Sequence, residues 1–242
     1  MPDLANSLVF GTRNPHKRRE LEELLSPTIS PRWKTFDIGE WPEPVPEFPE
    51  DRDSFRGNAL QKAEGTSLHA ACTAIADDSG LVVDALDGRP GIHSSRYAGD
   101  DATAEDNNRK LLEELEGVPR SERTARFVCV LALVATGERI GRSLVSRAGL
   151  PFDEIPEGRP TEEATLTRAG RRVYLWCRGT VEGRILEEPR GEGGFGYDPL
   201  FYVPELEATF GQADPADKQR ISHRAEAAQT FNELFAPVDA TT

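Results

Sequence analysis

An apolar run that leads into two adjacent carboxylates constrains this chain more than any other feature. Residues 74–76 are apolar, Asp77 and Asp78 follow, and Ser79-Gly80 separates them from a second apolar run at residues 81–83. The pattern predicts a strand that ends at Asp78, a turn at Ser79-Gly80 and a short return. Neighbouring side chains on a strand point to opposite faces, so one aspartate can enter a cleft while the other supports the loop. Such oxygens suit a divalent metal ion, and an ordinary polar turn is the alternative interpretation.

A second informative stretch lies near the N-terminus, where a short apolar strand runs into residues 12–14. Asn14 is a good N-cap and Pro15 a good first residue for the helix that the apolar spacing predicts over residues 15–25. A helix that begins directly after a strand can bind an anion at its N-terminus, where Lys17 adds positive charge. The pattern of a Walker loop is absent, and an ordinary capped helix is the alternative.

Two stretches in the C-terminal third carry candidate binding residues, and the first of them suits a nucleobase. Residues 193–201 are rich in glycine and offer the aromatic faces of Phe195 and Tyr197 and the acceptor oxygens of Asp198. Residues 217–224 begin a helix and bring several cationic side chains together. The alternatives are a glycine-rich hairpin with core aromatics and a solvated helical face.

The chain is strongly acidic, with a formal net charge of −13 over 242 residues. This charge repels polymeric nucleic acid and anionic membrane surfaces, so neither is expected as a partner. A nucleoside triphosphate is itself anionic, and binding one requires a local cationic pocket, a divalent metal or both. No apolar run approaches the ~20 residues of a membrane helix, and no secretory signal is visible. Three cysteines without CxxC spacing predict reduced core thiols in a cytoplasmic protein.

Alternating strand and helix patterns predict an α/β protein with a mixed, twisted sheet flanked by helices. Residues 1–242 are expected to form a single domain. Residues 40–49 carry four prolines and predict an extended loop. Residues 144–171 have weak periodicity, and the family resemblance described below implies that they are a surface insertion without catalytic residues. Strands are predicted over residues 8–11, 34–38, 125–135, 139–147 and 172–182, and helices over residues 54–71 and 104–115.

Taken in order, these motifs resemble those of one family, the inosine/xanthosine triphosphate pyrophosphatases. The matching blocks are TRNPHK at residues 12–17, residues 46–63, 74–99, 101–115 and 125–133, GGFGYDPLF at residues 193–201 and KQRISHR at residues 218–224. The resemblance implies two lobes with the active-site cleft between them. It also implies hydrolysis of ITP, dITP and XTP to monophosphate and pyrophosphate, with Mg²⁺ as cofactor and a homodimer as the assembly.

The resemblance further implies roles for individual residues. Asp78 matches the position that binds metal and acts as general base, Asp77 would support it, and Glu50 matches a second metal contact. Ser79 would touch the nucleotide. The substrate would also be held by residues Thr12, Arg13, Asn14, Pro15, His16, Lys17, Lys62 and Lys218 on the phosphate side, and by Phe195, Gly196, Tyr197, Asp198, His223 and Arg224 on the base side.

Two positions depart from the family pattern, because Arg13 replaces a glycine and Gly57 replaces a glutamate. Arginine brings a Cβ and a charge where phosphate would approach the backbone, and Gly57 removes a carboxylate from the second helix. Two other functions stay open. The septum-inhibition nucleotide pyrophosphatases share the architecture but open with a Ser-x-Ser-Pro-Arg-Arg loop, unlike residues 14–17. A catalytically silent nucleotide-binding module is the third candidate.

Overall fold

The computed structural model describes residues 2–136, 155–162 and 165–235, which contain eight strands and five α-helices. The strands are β1 (Ser7–Phe10), β2 (Lys34–Asp37), β3 (Thr73–Val83), β4 (Thr124–Thr136), β5 (Leu166–Ala169), β6 (Arg172–Ile185), β7 (Phe201–Val203) and β8 (Ala208–Thr209). The helices are α1 (Pro15–Ile29), α2 (Phe55–Ala70), α3 (Ala104–Glu114), α4 (Pro215–Ile221) and α5 (His223–Phe235).

The strands form one mixed sheet in the order β2-β1-β3-β4-β6-β7-β8, with β5 paired to β6 beside this path. β1 pairs in parallel with β2 and β3, as expected for strands that are joined through helices. β6 and β7, and β7 and β8, pair antiparallel. The predicted α/β class with a mixed sheet flanked by helices is confirmed.

The chain divides into two compact units whose boundaries fall inside β3, β4, β6 and α5. The first unit takes the described residues of 1–78, 130–178 and 227–242, and the second takes 79–129 and 179–226. Each unit has a core of its own. In the first, Ala59 and Ala63 of α2 pack on Ala76, Val130 and Trp176, because small side chains let a helix approach a sheet closely. The second unit centres on the packed rings of Phe127, Phe201 and Phe210.

The predicted turn at Ser79-Gly80 is wrong, because β3 runs without interruption from Thr73 to Val83. Gly80 shows none of the positive φ angles that mark turn glycines in the described residues. Both aspartates of this strand are buried, Asp77 at 1% and Asp78 at 4% exposure. A buried carboxylate needs charged or hydrogen-bonding partners, and partners on both faces allow the strand to continue through this pair.

The helices predicted over residues 54–71 and 104–115 are confirmed as α2 and α3. The C-terminal helix is split, since Ser222 adopts an extended conformation between α4 and α5. β4 confirms the strand at residues 125–135, whereas its predicted partner at 139–147 lies outside the described residues. Of the predicted insertion, only 155–162 and 165–171 are described.

All three cysteines are buried and free, and no helix in the described part is long and apolar enough to cross a membrane.

Candidate active site

In the first unit, the two aspartates of β3 take different partners because they point to opposite faces of the strand. Asp77 Oδ2 lies 3.1 Å from the Nζ of Lys17 on α1. Asp78 Oδ2 accepts a hydrogen bond of 3.0 Å from Asn58 Nδ2, and Asp78 Oδ1 lies 3.4 Å from Lys62 Nζ. The side chain of Asp77 is fully buried, and its pairing with Lys17 fits the supporting role that the sequence predicted.

The Lys62 ammonium joins two carboxylates from distant parts of the chain. Its Nζ lies 2.7 Å from Glu50 Oε1 and 3.4 Å from Asp78 Oδ1. Asn58 and Lys62 are four residues apart on α2, so both side chains leave the same face of that helix. Burial acts to lower the pKa of Lys62, but the charges of Asp78, Asp77 and Glu50 outweigh it and raise the pKa. Lys62 therefore stays a cation between its partners.

Asp78 has the properties of a proton acceptor. Burial raises the pKa of its carboxyl above the ordinary value, although Lys62 and Lys17 oppose the shift. A carboxylate with a raised pKa is a stronger base, and catalytic carboxylates are tuned in this direction by burial. The hydrogen bond from Asn58 fixes the carboxylate plane, so the second oxygen keeps a defined direction.

The carboxylates of Glu50 and Asp78 fit a divalent cation. Each has an oxygen within 3.4 Å of the same Lys62 nitrogen, so both can reach one cationic position. The described residues contain no group of three or more His, Cys, Asp or Glu side chains that could hold a metal by themselves. Mg²⁺ commonly binds through one or two carboxylates and completes its shell with water and substrate phosphates. The donor set therefore fits a metal that is shared with a phosphate ligand.

The N-terminus of α1 is closed by its own cap. Asn14 Oδ1 accepts from the backbone N–H of His16 at 2.9 Å and of Lys17 at 3.2 Å, which confirms the predicted N-cap. Thr12 Oγ1 accepts from Asn14 N at 3.3 Å. Pro15 takes the first helical position, as predicted. An anion that binds these N–H groups would have to displace the asparagine cap.

The two departures from the family pattern have local physical reasons. Arg13 is exposed, and its Nη2 donates a 2.9 Å hydrogen bond to the carbonyl oxygen of Val45. At Gly57 an added Cβ would lie 2.7 Å from the Cβ of Arg52, so the close passage of the preceding loop requires glycine. The same loop is fixed by a 2.9 Å hydrogen bond from Arg52 N to Asn58 Oδ1.

In the second unit, Asp198 organises the glycine-rich stretch. Its Oδ2 accepts from Phe195 N at 2.7 Å and lies 2.7 Å from Lys218 Nζ. Gly194 has a φ of +73°, and a Cβ there would come within 2.1 Å of the same oxygen. Only glycine permits both this conformation and this close approach. The glycines at this point thus let a buried carboxylate lie against the backbone.

Cations surround the ring of Phe195, which is half-buried. Lys218 Nζ lies 4.8 Å and Arg224 Cζ 5.4 Å from the ring centroid. His223 stacks on Phe127 with 5.0 Å between ring centroids, and both His223 and Arg224 are buried. The structure therefore brings together Phe195, Asp198, Lys218 and Arg224, which the sequence nominated from separate motifs.

One sequence-based assignment in this unit needs correction. Tyr197 is 4% exposed, belongs to the hydrophobic core and donates from its hydroxyl to Ser94 O at 2.9 Å. It therefore supports the loop and does not present an aromatic face, because the core and Ser94 fix its ring. Lys218 lies between Asp198 and Phe195, and its assignment to phosphate stays a prediction. Gly196 lies in the same loop with a φ of +63°, and Ser79 is half-buried and directly follows Asp78 on β3.

Sequence reasoning missed two asparagines. Asn58 is fully buried and bonds Asp78, and Asn108 Nδ2 on α3 donates to the carbonyl of Gly196 at 3.0 Å. Asparagine has a low preference for helix interiors because its side chain competes for backbone hydrogen bonds. An asparagine inside a predicted helix was therefore the signal that could have identified both residues.

Comparison with known proteins adds independent evidence. The sequence model of the Ham1 family matches residues 8–146 and 161–234. The chain belongs to the Ham1 family. This Ham1 chain is 44% identical over 220 residues to a dITP/XTP pyrophosphatase of Thioalkalivibrio sulfidiphilus, covering 91% of this chain and 93% of the relative. It is 40% identical over 228 residues to a dITP/XTP pyrophosphatase of Desulforamulus reducens, covering 94% of each.

A solved structure agrees with this assignment. The structure of a HAM1 protein from Coxiella burnetii matches with a TM-score of 0.72 and 35% identity, over 94% of this chain and 97% of that one. Membership of the Ham1 family confirms the resemblance that the motifs carried, and the two relatives bear the name of the activity that it implied.

Proposed function

We propose that this Ham1 chain hydrolyses the deaminated purine nucleoside triphosphates ITP, dITP and XTP to monophosphate and pyrophosphate, and so removes them from the nucleotide pool. The observation that carries the proposal is Asp78, a buried carboxylate with a raised pKa that is oriented by Asn58 and flanked by Lys62. Two relatives whose alignments cover over 90% of this chain are named dITP/XTP pyrophosphatases, which supports the same reaction.

In the proposed reaction, water attacks the α-phosphorus, and the bond from that phosphorus to the bridging oxygen breaks as pyrophosphate leaves. Asp78 accepts the proton of the attacking water, because its raised pKa makes it a stronger base than an ordinary aspartate. Lys17, held by Asp77, supplies positive charge toward the phosphates. Thr12 and Asn14 offer hydrogen-bonding groups once the cap of α1 is exchanged for phosphate oxygens.

We propose Mg²⁺ as the cofactor, with Asp78 and Glu50 as the residues that hold it. When bound, it neutralises phosphate oxygens and favours departure of pyrophosphate. Lys62 contacts the same two carboxylates and therefore keeps them from repelling one another before the metal and the substrate arrive. Phosphates that approach this position meet Lys62 as a second source of positive charge.

Base selection is proposed for the second unit. Arg224 can only donate hydrogen bonds, and His223 can also donate. Inosine and xanthosine carry an acceptor oxygen at purine position six, whereas the amino group of adenosine would face other donors. An unpaired buried donor costs about 1–3 kcal/mol, so adenosine is disfavoured. Guanosine shares the oxygen and has to be rejected by crowding at its 2-amino group, for which the loop at Phe195 is the proposed place.

The direct test is turnover of ITP, XTP and ATP with Mg²⁺, with the products separated by anion-exchange chromatography. We expect monophosphate and pyrophosphate from ITP and XTP and far slower reaction of ATP. Diphosphate plus orthophosphate, or equal rates on ATP, would refute the proposal. Binding of ITP without turnover would favour the silent module, and a preference for other nucleotides would favour the septum-inhibition type. The Asp78→Asn variant, purified in parallel, excludes a contaminating hydrolase.

We also propose a homodimer in the cytoplasm, as the family resemblance implies, with light scattering after gel filtration as the test of the assembly. A surface insertion within residues 144–171 is proposed too. The family model leaves residues 147–160 unmatched, which supports it.

A further inference from the structure

The loop that carries Glu50 is held by apolar packing in its first half and, just after Glu50, by the 2.9 Å hydrogen bond from Arg52 N to Asn58 Oδ1. Residues 41–54 contain no helix or strand, and four prolines among them remove four backbone donors. Trp41 and Val45 pack against Val9, and the ring of Phe48 lies on α2, where a Cβ at Gly65 would come within 2.5 Å of it. These apolar contacts fix where the loop packs, but they leave its backbone direction to polar contacts.

Arg13 supplies a polar contact at the middle of this loop. Its Nη2 donates to the Val45 carbonyl oxygen at 2.9 Å, across 32 residues of sequence. Val45 stands between Pro44 and Pro46, and a residue before proline is confined to extended backbone. Holding this carbonyl therefore restrains the chain on the N-terminal side of Glu50, which lies five residues further on, while the hydrogen bond from Arg52 N to Asn58 Oδ1 restrains it on the other side.

The position of Glu50 matters because its carboxylate acts together with Asp78. Both carboxylates contact Lys62, Glu50 at 2.7 Å and Asp78 at 3.4 Å. Glu50 comes from the loop, whereas Asp78 and Lys62 come from β3 and α2. A shift of the loop would thus move Glu50 away from the other two.

We propose that Arg13 is a positioning residue that holds Glu50 at the metal position through the Val45 carbonyl. The proposal rests on the proposed function, because it takes Glu50 as a metal contact. It also revises the direct phosphate contact that the sequence predicted for Arg13. The guanidinium instead links the segment of residues 12–17 to the loop that brings the second carboxylate.

The test uses Arg13→Met in the full chain, with Arg19→Met as the matched control. Arg19 is an exposed arginine of α1, so its replacement removes the same charge six residues away. The first readout is Mn²⁺ binding to the substrate-free protein, followed by electron paramagnetic resonance. The second is amide hydrogen exchange of residues 41–54. Neither readout requires turnover.

We expect Arg13→Met to weaken Mn²⁺ binding by about tenfold at most, the lower end of the effect of losing a direct partner of a metal ligand, because Arg13 acts on Glu50 only through the loop. Exchange in residues 41–54 should accelerate, while Arg19→Met changes neither readout. In a Glu50→Gln background, Arg13→Met should weaken Mn²⁺ binding no further, because a residue that acts through another shows no separate effect once that other is gone. Pyrophosphate binding in the presence of EDTA should stay at the wild-type value.

Several results would overturn the proposal. Unchanged Mn²⁺ affinity in Arg13→Met, additive effects of Arg13→Met and Glu50→Gln, or a wild-type protein that binds no Mn²⁺ would each do so. Weaker pyrophosphate binding in EDTA would return Arg13 to direct phosphate contact. Failure of the wild type to hydrolyse ITP would refute the proposed function alone, since the binding and exchange readouts do not depend on it.

Discussion

At the scale of single residues, Asp78 gives a direct prediction for turnover. The Asp78→Asn variant keeps the shape of the side chain but removes the charge that accepts a proton and contacts the metal. We expect kcat for ITP to fall at least ~100-fold, within the range for loss of a general base. Steady-state kinetics of the purified variant checks this. Near-normal turnover would show that another group acts as the general base, with Asp77 the first candidate.

The same residue predicts a pH dependence of stability. Burial raises the folded-state pKa of Asp78, so the stability that accompanies its protonated form is fully present below the unfolded pKa and is lost as pH rises through the folded pKa. Asparagine does not ionise, so the Asp78→Asn variant does not lose this contribution to stability as the pH rises. Asp78→Asn should therefore gain stability relative to wild type on going from about pH 4 to about pH 7. Urea unfolding of both proteins at the two pH values measures the difference, and a constant difference would contradict the prediction.

Lys218 provides a second test at this scale, because its ion pair with Asp198 is buried. The two side chains are 10% and 5% exposed, and Asp198 also holds Phe195 N. Lys218→Met removes the ammonium that lies 2.7 Å from a buried carboxylate, so we expect a loss of about 3–5 kcal/mol in the free energy of unfolding. Arg220→Met on the same helix breaks an exposed pair with Glu205 and should cost no more than about 1 kcal/mol. If the two variants lost similar amounts of unfolding free energy in urea titrations, the ion pair between Lys218 and Asp198 would contribute no more than an exposed pair.

The sequence located most members of the candidate site but not their pairings. Its motifs nominated Asp78, Glu50 and Lys62, and those side chains do meet in the structure. Which carboxylate takes which lysine depends on tertiary packing, so the partner of Lys218 could not be foreseen. Tyr197 was misjudged for the same reason, because an aromatic in a glycine-rich loop can face solvent or core equally well.

At the scale of elements, the first turn of α2 gives a prediction about Gly57. A Cβ at this position would meet the Cβ of Arg52 at 2.7 Å, and a Cβ is too close to the backbone to move aside easily. We expect Gly57→Ala to destabilise the protein by about 1 kcal/mol, since overpacking outweighs the gain in helix propensity. Gly39 has open space around it, so Gly39→Ala should be neutral or stabilising. Thermal unfolding compares the stabilities of the two variants. A Gly57→Ala variant that is more stable than wild type would show that the loop at Arg52 moves to make room for the added methyl group.

The described part of the predicted insertion contacts α2, which limits what can be removed. Arg159 lies 3.2 Å from Glu64, Glu162 lies 2.8 Å from Arg56, and Thr161 O accepts from the indole of Trp176 at 3.1 Å. Replacing residues 149–162 by a short Gly/Ser linker, which spares β5, should lower the melting temperature. The buried indole N–H alone loses a partner worth about 1–3 kcal/mol.

In that linker variant, kcat/KM for ITP should stay within a few-fold of wild type, because the segment carries none of the proposed site residues. Melting curves and initial rates on the same preparation separate stability from activity. A large loss of kcat in a folded variant would show that the segment takes part in turnover.

Elements were predicted well where their periodicity was long, as in α2 and α3, and poorly where polar residues interrupted an apolar pattern. In β3 the sequence Asp-Asp-Ser-Gly is typical of a turn, yet the strand continues through it. The cost of burying both carboxylates is offset by Lys17 on one face and Lys62 on the other. These cations come from other elements, so local pattern could not reveal them.

At the scale of the whole molecule, the net charge of −13 predicts which anions are bound. Long nucleic acids meet the field of the whole surface, whereas a single nucleotide meets only the local cations. We therefore expect no binding of a labelled single-stranded or duplex oligonucleotide at about 150 mM salt, where the screening length is about 8 Å. Fluorescence anisotropy, with labelled ITP as the positive control, measures this. Salt-sensitive oligonucleotide binding would contradict the prediction.

The uninterrupted course of β3 also restricts how this protein can evolve. Because its aspartates alternate between faces, gaining or losing one codon upstream of them within the strand would exchange their surroundings. Asp77 would then turn toward the face of Lys62, and Asp78 toward the face of Lys17. Point substitutions can still adjust this strand, but length variation has to be absorbed in the connections outside it.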